Sequence, residues 1–167
     1  AWQFAKCQEV AARNGRTQFV TMQPMVNLVY REEEREMLPL CADQGVGVIP
    51  WSPLARGVLA GKKQGADGQS TRSQTDNMTE KWQLGAAESD DNVVAAVRDV
   101  AEARGVSMAQ IALAWVAGHP QITAPIVGAS KSHHLDDAIA ALDIELTADE
   151  REKLEAPYVP HRIAGHE

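Results

Sequence analysis

The clearest pattern in this chain lies in residues 46–62, which read VGVIPWSPLARGVLAGK. Residues 46–51 are nearly all apolar, which is typical of a parallel strand buried on both faces. A turn-forming Ser-Pro pair and several small residues follow Trp51. Because parallel α/β folds bind ligands at the carboxyl ends of their strands, the stretch predicts a strand that opens into a ligand-binding loop.

A second stretch, PIVGASK at residues 125–131, repeats the order of an apolar strand, small residues, a cation and a helix. Free backbone N–H groups and a helix N-terminus attract negative charge, and the Ser130 hydroxyl and Lys131 ammonium add to it. The pattern predicts a phosphate-type anion site, with an ordinary capped turn as the alternative. Two such strand ends side by side would hold a nucleotide cofactor from both ends.

The composition is that of a single globular domain with an acidic balance. Of the 167 residues, 44% are hydrophobic and 23% are charged, and the net charge is −7. The acidic charge argues against a nucleic-acid partner, which would require phosphate contacts. No apolar run approaches the roughly 18 residues that span a bilayer, so no membrane partner is expected.

Two cysteines, Cys7 and Cys41, occur in apolar, helix-like stretches. Both are expected to be buried free thiols, with a disulfide as the less favoured alternative. The first helix is expected to bury Cys7 together with Phe4, Ala11 and Ala12. No Cys or His spacing typical of a metal site occurs, so no metal is predicted.

Strands alternate with helices along the chain, which predicts an α/β fold with right-handed crossovers and a parallel sheet. Apolar runs predict strands over residues 19–23, 46–51 and 123–128. The acidic run over residues 32–36 is interpreted as a solvated first turn or a separate short turn. Helical periodicity predicts helices over residues 1–14, about 37–45, 89–105, 107–118, 132–142 and 147–154.

Polar residues at the predicted helix starts are expected to cap these helices. Ser89 and Ser132 are candidate N-caps. Pro39 fits only in the first turn of its helix. Capping boxes, with a hydroxyl followed three residues later by Glu or Gln, are predicted for Ser107 with Gln110 and Thr147 with Glu150.

Residues 62–84 are rich in Gly, Gln, Ser, Thr and Asp and show little periodicity. A stretch of this length inside a compact domain is either functional or disordered. It is interpreted as a mobile flap over the site, extending to residue 88. Lys62 and Arg72 could close over the bound anion, and solvated surface charge is the alternative for each.

Further candidate contacts follow the predicted strands. Trp51 could stack on a nicotinamide or flavin ring, or simply pack at a strand end. Gln23 could hydrogen-bond a carboxamide, or be buried with a backbone partner. His134 and Asp137 are placed for an adenosine, while His133 and His134 leave the helix in different directions and do not predict a metal site.

Several of these motifs together resemble the C-terminal half of an aldo-keto reductase. The resemblance rests on WSPLARG at 51–57 with Gly61-Lys62, on GASK at 128–131 with His134-Leu135, and on QPMVNL at 23–28. It covers nearly the whole chain, including the helix that begins near Leu146-Thr147. The nearest subgroup includes potassium-channel β subunits and bacterial reductases with a Trp-Ser-Pro-Leu loop.

The resemblance implies a (β/α)8 TIM barrel, of which residues 1–167 would form the C-terminal part, covering strands six to eight. It implies a cytoplasmic, NADPH-dependent oxidoreductase that reduces aldehydes or ketones to alcohols by hydride transfer. The substrate would be a small-molecule carbonyl compound. Whether the protein forms a homo-oligomer stays open. A nucleotide-binding regulatory module and an inactive half-barrel that pairs with another chain are the alternatives.

The resemblance also assigns roles to individual residues. Gln23 would hold the nicotinamide amide, and Trp51 would stack on its ring. Lys131 is added on electrostatic grounds. The positions matching the pyrophosphate-wrapping loop are Ser52, Pro53, Leu54, Arg56, Lys62 and Arg72. The positions matching the adenosine and 2′-phosphate contacts are Gly128, Ser130, His134 and Asp137.

Three features depart from the family pattern. Ala138 stands where the family usually has an adenine-binding Asn, and His134 replaces a usual Gln or Arg, so the preference for NADPH over NADH stays open. The family's catalytic Asp, Tyr, Lys and His lie in its N-terminal half, and neither Tyr30 nor Tyr158 matches the catalytic Tyr. No catalytic residue is therefore assigned, and the isolated chain is expected to be inactive.

Overall fold

A computed structural model describes residues 1–61, 88–160 and 162–163, with only the backbone of Glu88. These residues form an α/β structure in which helices flank a small parallel sheet. The predicted flap over residues 62–88 falls almost entirely outside the described residues and stays a prediction. The helices are α1 (Trp2–Arg13), α2 (Met37–Asp43), α3 (Glu88–Arg104), α4 (Met108–Ala117), α5 (Ser132–Ala140) and α6 (Ala148–Glu155), and 3-10 turns span Glu32–Glu34, Ala55–Ala60 and Ala141–Asp143.

The sheet pairs β1 (Thr21–Met22) with β2 (Gly47–Val48) in parallel, as predicted. Both strands are shorter than the apolar runs that contain them. Beyond them the Trp51 N–H donates to the Pro24 carbonyl over 3.1 Å. Pro24 has no N–H to return a bond to the neighbouring strand, so the regular ladder is interrupted there and resumes only as an isolated bridge between Met25 and Trp51.

The predicted third strand over residues 123–128 is wrong in a specific way. The segment lies beside β2, with the Thr123 N–H donating to the Val48 carbonyl and the Ile126 N–H to the Pro50 carbonyl, both over 2.8 Å. The return bond is missing, because the Val48 N–H donates to the Thr123 hydroxyl over 3.1 Å and Pro50 has no N–H. The segment is therefore an extended neighbour of β2 that forms no regular ladder.

The helix starts agree with the sequence in part. Both predicted capping boxes are confirmed, at Ser107 with Gln110 and at Thr147 with Glu150, and Pro39 lies in the first turn of α2. The predicted Ser89 cap is wrong, because α3 already includes Glu88. The predicted Ser132 cap is also wrong, because Ser132 is the first helical residue of α5 and Lys131 is its N-cap.

The buried face of α1 differs from the predicted one. Both cysteines are free, but Cys7 is exposed and only Cys41 is buried, and Ala12 is exposed as well. Gln8 is buried instead, at 3% exposure. Its amide donates to the Phe19 carbonyl over 2.9 Å and accepts from the Phe19 N–H over 2.8 Å. The helix turns this polar side chain inward because it satisfies the backbone just before β1.

A cluster centred on Arg31 joins the first third of the chain to the last. The guanidinium forms a two-pronged ion pair with Glu34, with both N···O distances 2.8 Å, and a 3.1 Å bond to Glu155. It lies 5.4 Å from the ring centres of Trp115 and Tyr158. The cluster therefore ties α4, α6 and the chain beyond α6 to the 3-10 turn at Glu32–Glu34.

The acidic run is thus a separate turn, but it is not fully solvated. Glu32 is only 8% exposed and accepts a 2.6 Å hydrogen bond from the Tyr158 hydroxyl. Tyr158 in turn accepts a 3.1 Å bond from the Arg31 N–H. The expectation of a solvated turn fails at this residue because a partner distant in the sequence covers it.

The ion pair between Arg104 and Glu150 predicts a pH-dependent stability. The pKa of Glu150 is lowered from 4.5 to about 2. The largest cause is a pair of 2.6 Å hydrogen bonds from Arg104, and the next is a hydrogen bond from the Thr147 N–H. A carboxyl with a lowered pKa stabilises the fold above its unfolded pKa and loses that contribution as the pH falls through its folded pKa. Because both side chains are partly exposed, we expect Glu150→Gln to cost about 1 kcal/mol at neutral pH.

This cost should shrink steadily as the pH falls from 4.5 to about 2. Urea unfolding of both proteins across this range measures it. Glu152→Gln is the matched control, because Glu152 is an exposed carboxylate on the same helix. A cost for Glu150→Gln that stays constant with pH would contradict the prediction.

Candidate functional site

Three segments end at the same edge of the sheet. Gln23 follows β1 directly, Trp51 lies just beyond β2, and Gly128 follows the extended segment beside β2. The Val48 carbonyl accepts a bond from Thr123, and further along, the Pro50 carbonyl accepts one from Ile126. Because the two bonds follow the same order in both segments, this segment runs parallel to β2. Gln23, Trp51 and Gly128 therefore lie at the carboxyl ends of these parallel segments, where parallel α/β folds bind ligands.

Trp51 and Gln23 differ in how they are held. Trp51 is half-buried and packs against the hydrophobic core, and its backbone bridges to Met25. Part of the residue's surface stays accessible to solvent. Gln23 is exposed, so the alternative of a buried Gln does not apply.

The loop after Trp51 has an unusual backbone. Ser52, Ala55 and Arg56 have φ angles of 52°, 46° and 57°, in the left-handed region that favours glycine. Such residues each cost roughly 1–3 kcal/mol and persist only where the surrounding structure holds them. Strain of this kind concentrates at ligand-binding sites, so the loop is a candidate functional element.

Hydrogen bonds and burial hold this loop. The Ala55 N–H donates to the Ser52 carbonyl over 2.9 Å, and the Gly57 N–H donates to the Leu54 carbonyl over 2.8 Å. Pro53, Ala55 and Leu59 are buried. The residues with predicted contacts, Ser52, Leu54 and Arg56, are half-buried, and Leu54 packs against the core. Buried residues therefore anchor the loop, while part of its surface stays accessible.

The GASK turn is open to solvent. Gly128, Ser130 and Lys131 are exposed, and His134 and Asp137 are half-buried. The Ser130 hydroxyl lies 3.4 Å from Nδ1 of His134. Helix α5 starts here with no side-chain cap, so its N-terminus, a hydroxyl and a cation occur together as the sequence predicted.

Two predicted contacts, Lys62 and Arg72, lie outside the described residues and stay untested. Tyr158, to which the sequence assigns no catalytic role, has partners elsewhere. The Tyr158 hydroxyl donates a hydrogen bond to Glu32. Burial, and to a lesser extent this hydrogen bond, raises the pKa of Tyr158. A proton donor requires a pKa near the working pH, so the structure gives Tyr158 a stabilising role.

One residue of the site went without a role in the sequence reading. Asn27 is 0% exposed, and its side-chain amide donates to the Ser52 carbonyl over 3.0 Å. The sequence signal was present but weak, since Asn27 is a polar residue inside the apolar run 25–30. A buried polar side chain in such a run requires a partner, and only the fold shows that the partner is the loop after Trp51.

The described part of the chain offers no other obvious centre for chemistry. It contains no group of three or more His, Cys, Asp or Glu side chains that could hold a metal ion. None of the helices in the same residues is long and apolar enough to cross a membrane.

The structure is that of an α/β protein whose candidate ligand-binding residues lie at the carboxyl ends of its parallel strands. Residues 1–158 match the model of the Aldo/keto reductase family. The chain therefore belongs to the aldo-keto reductase family, as the resemblance indicated.

Individual relatives agree with this assignment. The chain is 43% identical over 164 residues to versiconal hemiacetal acetate reductase of Aspergillus parasiticus, covering 98% of this chain and 47% of that protein. It is 42% identical over 165 residues to an aldo-keto reductase of Fusarium vanettenii, covering 99% of this chain and 44% of that protein. An aldo-keto reductase of Metarhizium robertsii is 41% identical over 169 residues, with coverages of 99% and 44%. The chain spans about half the length of these relatives.

Proposed function

We infer that this chain forms the cofactor-binding part of an NADPH-dependent reductase of aldehydes or ketones. The observation that carries the proposal is the common position of two elements at one edge of the sheet. These are the strained loop after Trp51 and the open GASK turn at the start of α5. We further propose that β1, β2 and the extended segment beside β2 correspond to strands six to eight of a (β/α)8 barrel.

The donor set fits a dinucleotide phosphate. The nicotinamide end would lie between Trp51, which is partly accessible, and the amide of Gln23, which could bond the carboxamide. The pyrophosphate would lie along the loop that contains Ser52, Leu54 and Arg56. Pro53 is buried, so it would stiffen this loop rather than contact the cofactor directly.

The adenosine end would lie at the other strand end. Gly128 allows close approach of a phosphate to the backbone, and Ser130 and Lys131 supply a hydroxyl and a positive charge. His134 and Asp137, in the first and second turns of α5, would contact the adenosine. Lys62 and Arg72 would add positive charge over the phosphates, which is the role proposed for the 62–88 segment.

When bound, the nicotinamide supplies a hydride equivalent to a carbonyl carbon. The residues of this chain would bind and orient the cofactor, and Trp51 would shield one face of its ring from water. The sequence contains no match to the family's catalytic tetrad, so we expect the isolated chain to bind NADPH without reducing a carbonyl compound. Its cytoplasmic location and oligomeric state stay predictions.

Titration of the purified chain with NADPH tests the proposal. Trp51→Ala is expected to weaken NADPH binding by about tenfold, because it removes an aromatic stacking surface. Trp2→Ala is the matched control, since Trp2 is 65% exposed on α1 and should leave binding unchanged. Isothermal titration calorimetry measures both affinities without relying on tryptophan fluorescence.

Two results would contradict the proposal. The first is the absence of NADPH binding by the wild-type chain at millimolar concentration. The second is an equal affinity of wild type and Trp51→Ala. Carbonyl reduction by the purified chain, free of any longer enzyme, would contradict the expected inactivity alone.

A further inference from the structure

We propose that Asn27 is a positioning residue that holds the loop after Trp51 in its binding conformation, acting through the Ser52 carbonyl. This inference deepens the proposed function and rests on it for the identity of the ligand. Asn27 itself is fully buried, so it would act on the cofactor only through the backbone that it fixes.

The hydrogen bonds of Asn27 leave its amide a single orientation. Its Oδ1 accepts from the Val29 N–H over 3.1 Å, and its Nδ2 donates to the Ser52 carbonyl over 3.0 Å. Its backbone N–H and carbonyl bond to Tyr30 over 3.1 and 3.0 Å. Since the oxygen is engaged with an N–H donor, the NH2 group must face Ser52.

The bond to Ser52 acts at the point where the chain leaves regular geometry. Ser52 has a φ of 52°, which a non-glycine residue adopts only when held. Its carbonyl accepts from Asn27 on one side and from the Ala55 N–H on the other. The peptide plane that follows Ser52 is thereby fixed, and with it the start of the turn that contains Ala55 and Arg56.

The alternative is that Asn27 is simply a satisfied core amide. Its neighbours Met25, Val26, Leu28 and Val29 are all buried and apolar, so an apolar side chain would suit the surroundings without the cost of burying an amide. The side-chain NH2 group of Asn27 instead donates to the Ser52 carbonyl, 25 residues away in the sequence. It thus links the segment after β1 to the segment after β2, which are the two segments proposed to hold the nicotinamide end.

A comparison of two ligand probes tests this assignment. Asn27→Ala is expected to weaken NADPH binding by about tenfold, because part of the binding energy would be used to order the loop. Binding of adenosine 2′,5′-bisphosphate, which would contact only the GASK end, should stay within about twofold of wild type. A purely structural defect would weaken both probes together.

Gln8→Ala is the matched control. Gln8 is also a buried amide with two bonds to a distant backbone, but it acts before β1, at the opposite end of that strand. It should lower stability to a similar extent and leave the affinities for both probes unchanged. Asn27→Asp keeps an oxygen for the Val29 N–H and removes the amide donor, so it should reproduce the selective loss of NADPH affinity.

Hydrogen–deuterium exchange in the free protein separates this inference from the proposed function. Asn27→Ala should speed exchange over residues 52–57 at least tenfold, while Gln8→Ala should speed it near Phe19 instead. If wild type fails to bind NADPH but exchange changes as expected, the ligand assignment is wrong and Asn27 still holds the loop. If NADPH affinity and exchange over residues 52–57 are both unchanged in Asn27→Ala, the inference is overturned.

Discussion

Replacement of Arg31 by methionine is expected to lower the free energy of unfolding by about 3 kcal/mol. The side chain of Arg31 is 16% exposed, and those of Glu34 and Glu155 are 24% and 33% exposed. Burial opposes the charge on Arg31, but its bonds to these two carboxylates outweigh burial and raise its pKa. The substitution leaves both carboxylates partly buried without their shared cation, which costs more than the loss of the pair itself.

Arg13→Met is the control for Arg31→Met. Arg13 pairs with Glu9 on α1, where the two side chains are 75% and 54% exposed. An exposed pair of this kind contributes about 0.5 kcal/mol or less. Urea denaturation of the three proteins measures the difference, and equal effects of the two substitutions would show that the Arg31 cluster does not stabilise the fold.

Truncation of Trp115 to alanine is expected to cost about 4 kcal/mol of unfolding free energy. Trp115 is the largest fully buried side chain in the described residues, and its removal leaves a cavity in the hydrophobic core. Its indole N–H also donates to Glu155 over 2.8 Å. The expected loss of stability therefore has three sources. They are the packing of the ring, its charge-assisted hydrogen bond to Glu155, and its contact with the Arg31 guanidinium.

Two variants resolve these contributions. Trp115→Phe keeps most of the ring and removes the N–H, and we expect it to cost about 1–2 kcal/mol. Trp2→Ala removes an equal side chain that is 65% exposed, and it should cost about 0.5 kcal/mol or less. Thermal unfolding ranks the three, and a Trp115→Ala protein as stable as Trp2→Ala would refute the central role of Trp115.

The Arg31 and Trp115 substitutions should not be additive. Both residues contact Glu155, and residues that share a partner typically couple. The double variant is therefore expected to lose less stability than the sum of the single losses. Such coupling would show that the cluster acts as one unit joining α4 and α6 to the start of the chain.

Sequence reasoning succeeded where the determining interactions are local. The capping boxes at Ser107 and Thr147 involve partners three residues away, and Pro39 is confined to a first turn by its own ring. The positions of Gln23 and Trp51 beyond β1 and β2, and of Gly128 at the end of the extended segment, followed from apolar runs that end at turn-forming residues. Neighbouring residues carry all of this information.

Sequence reasoning failed where a distant partner decides the outcome. Glu32 looked solvated because its partner, Tyr158, lies 126 residues away. The third strand looked regular because nothing nearby indicates that the Thr123 hydroxyl takes the Val48 N–H, across a separation of 75 residues. The inward turn of Gln8 depends in the same way on Phe19, beyond the end of its helix.

The candidate site divides along the same line. The order of residues already indicated which side chains could face a cofactor, because parallel strands place their carboxyl ends together and small residues open those ends. It did not indicate how the loop after Trp51 is held. That depends on a bond between Asn27 and Ser52. This bond exists only once the two strands have paired and brought the buried amide to the Ser52 carbonyl, 25 residues further along the chain.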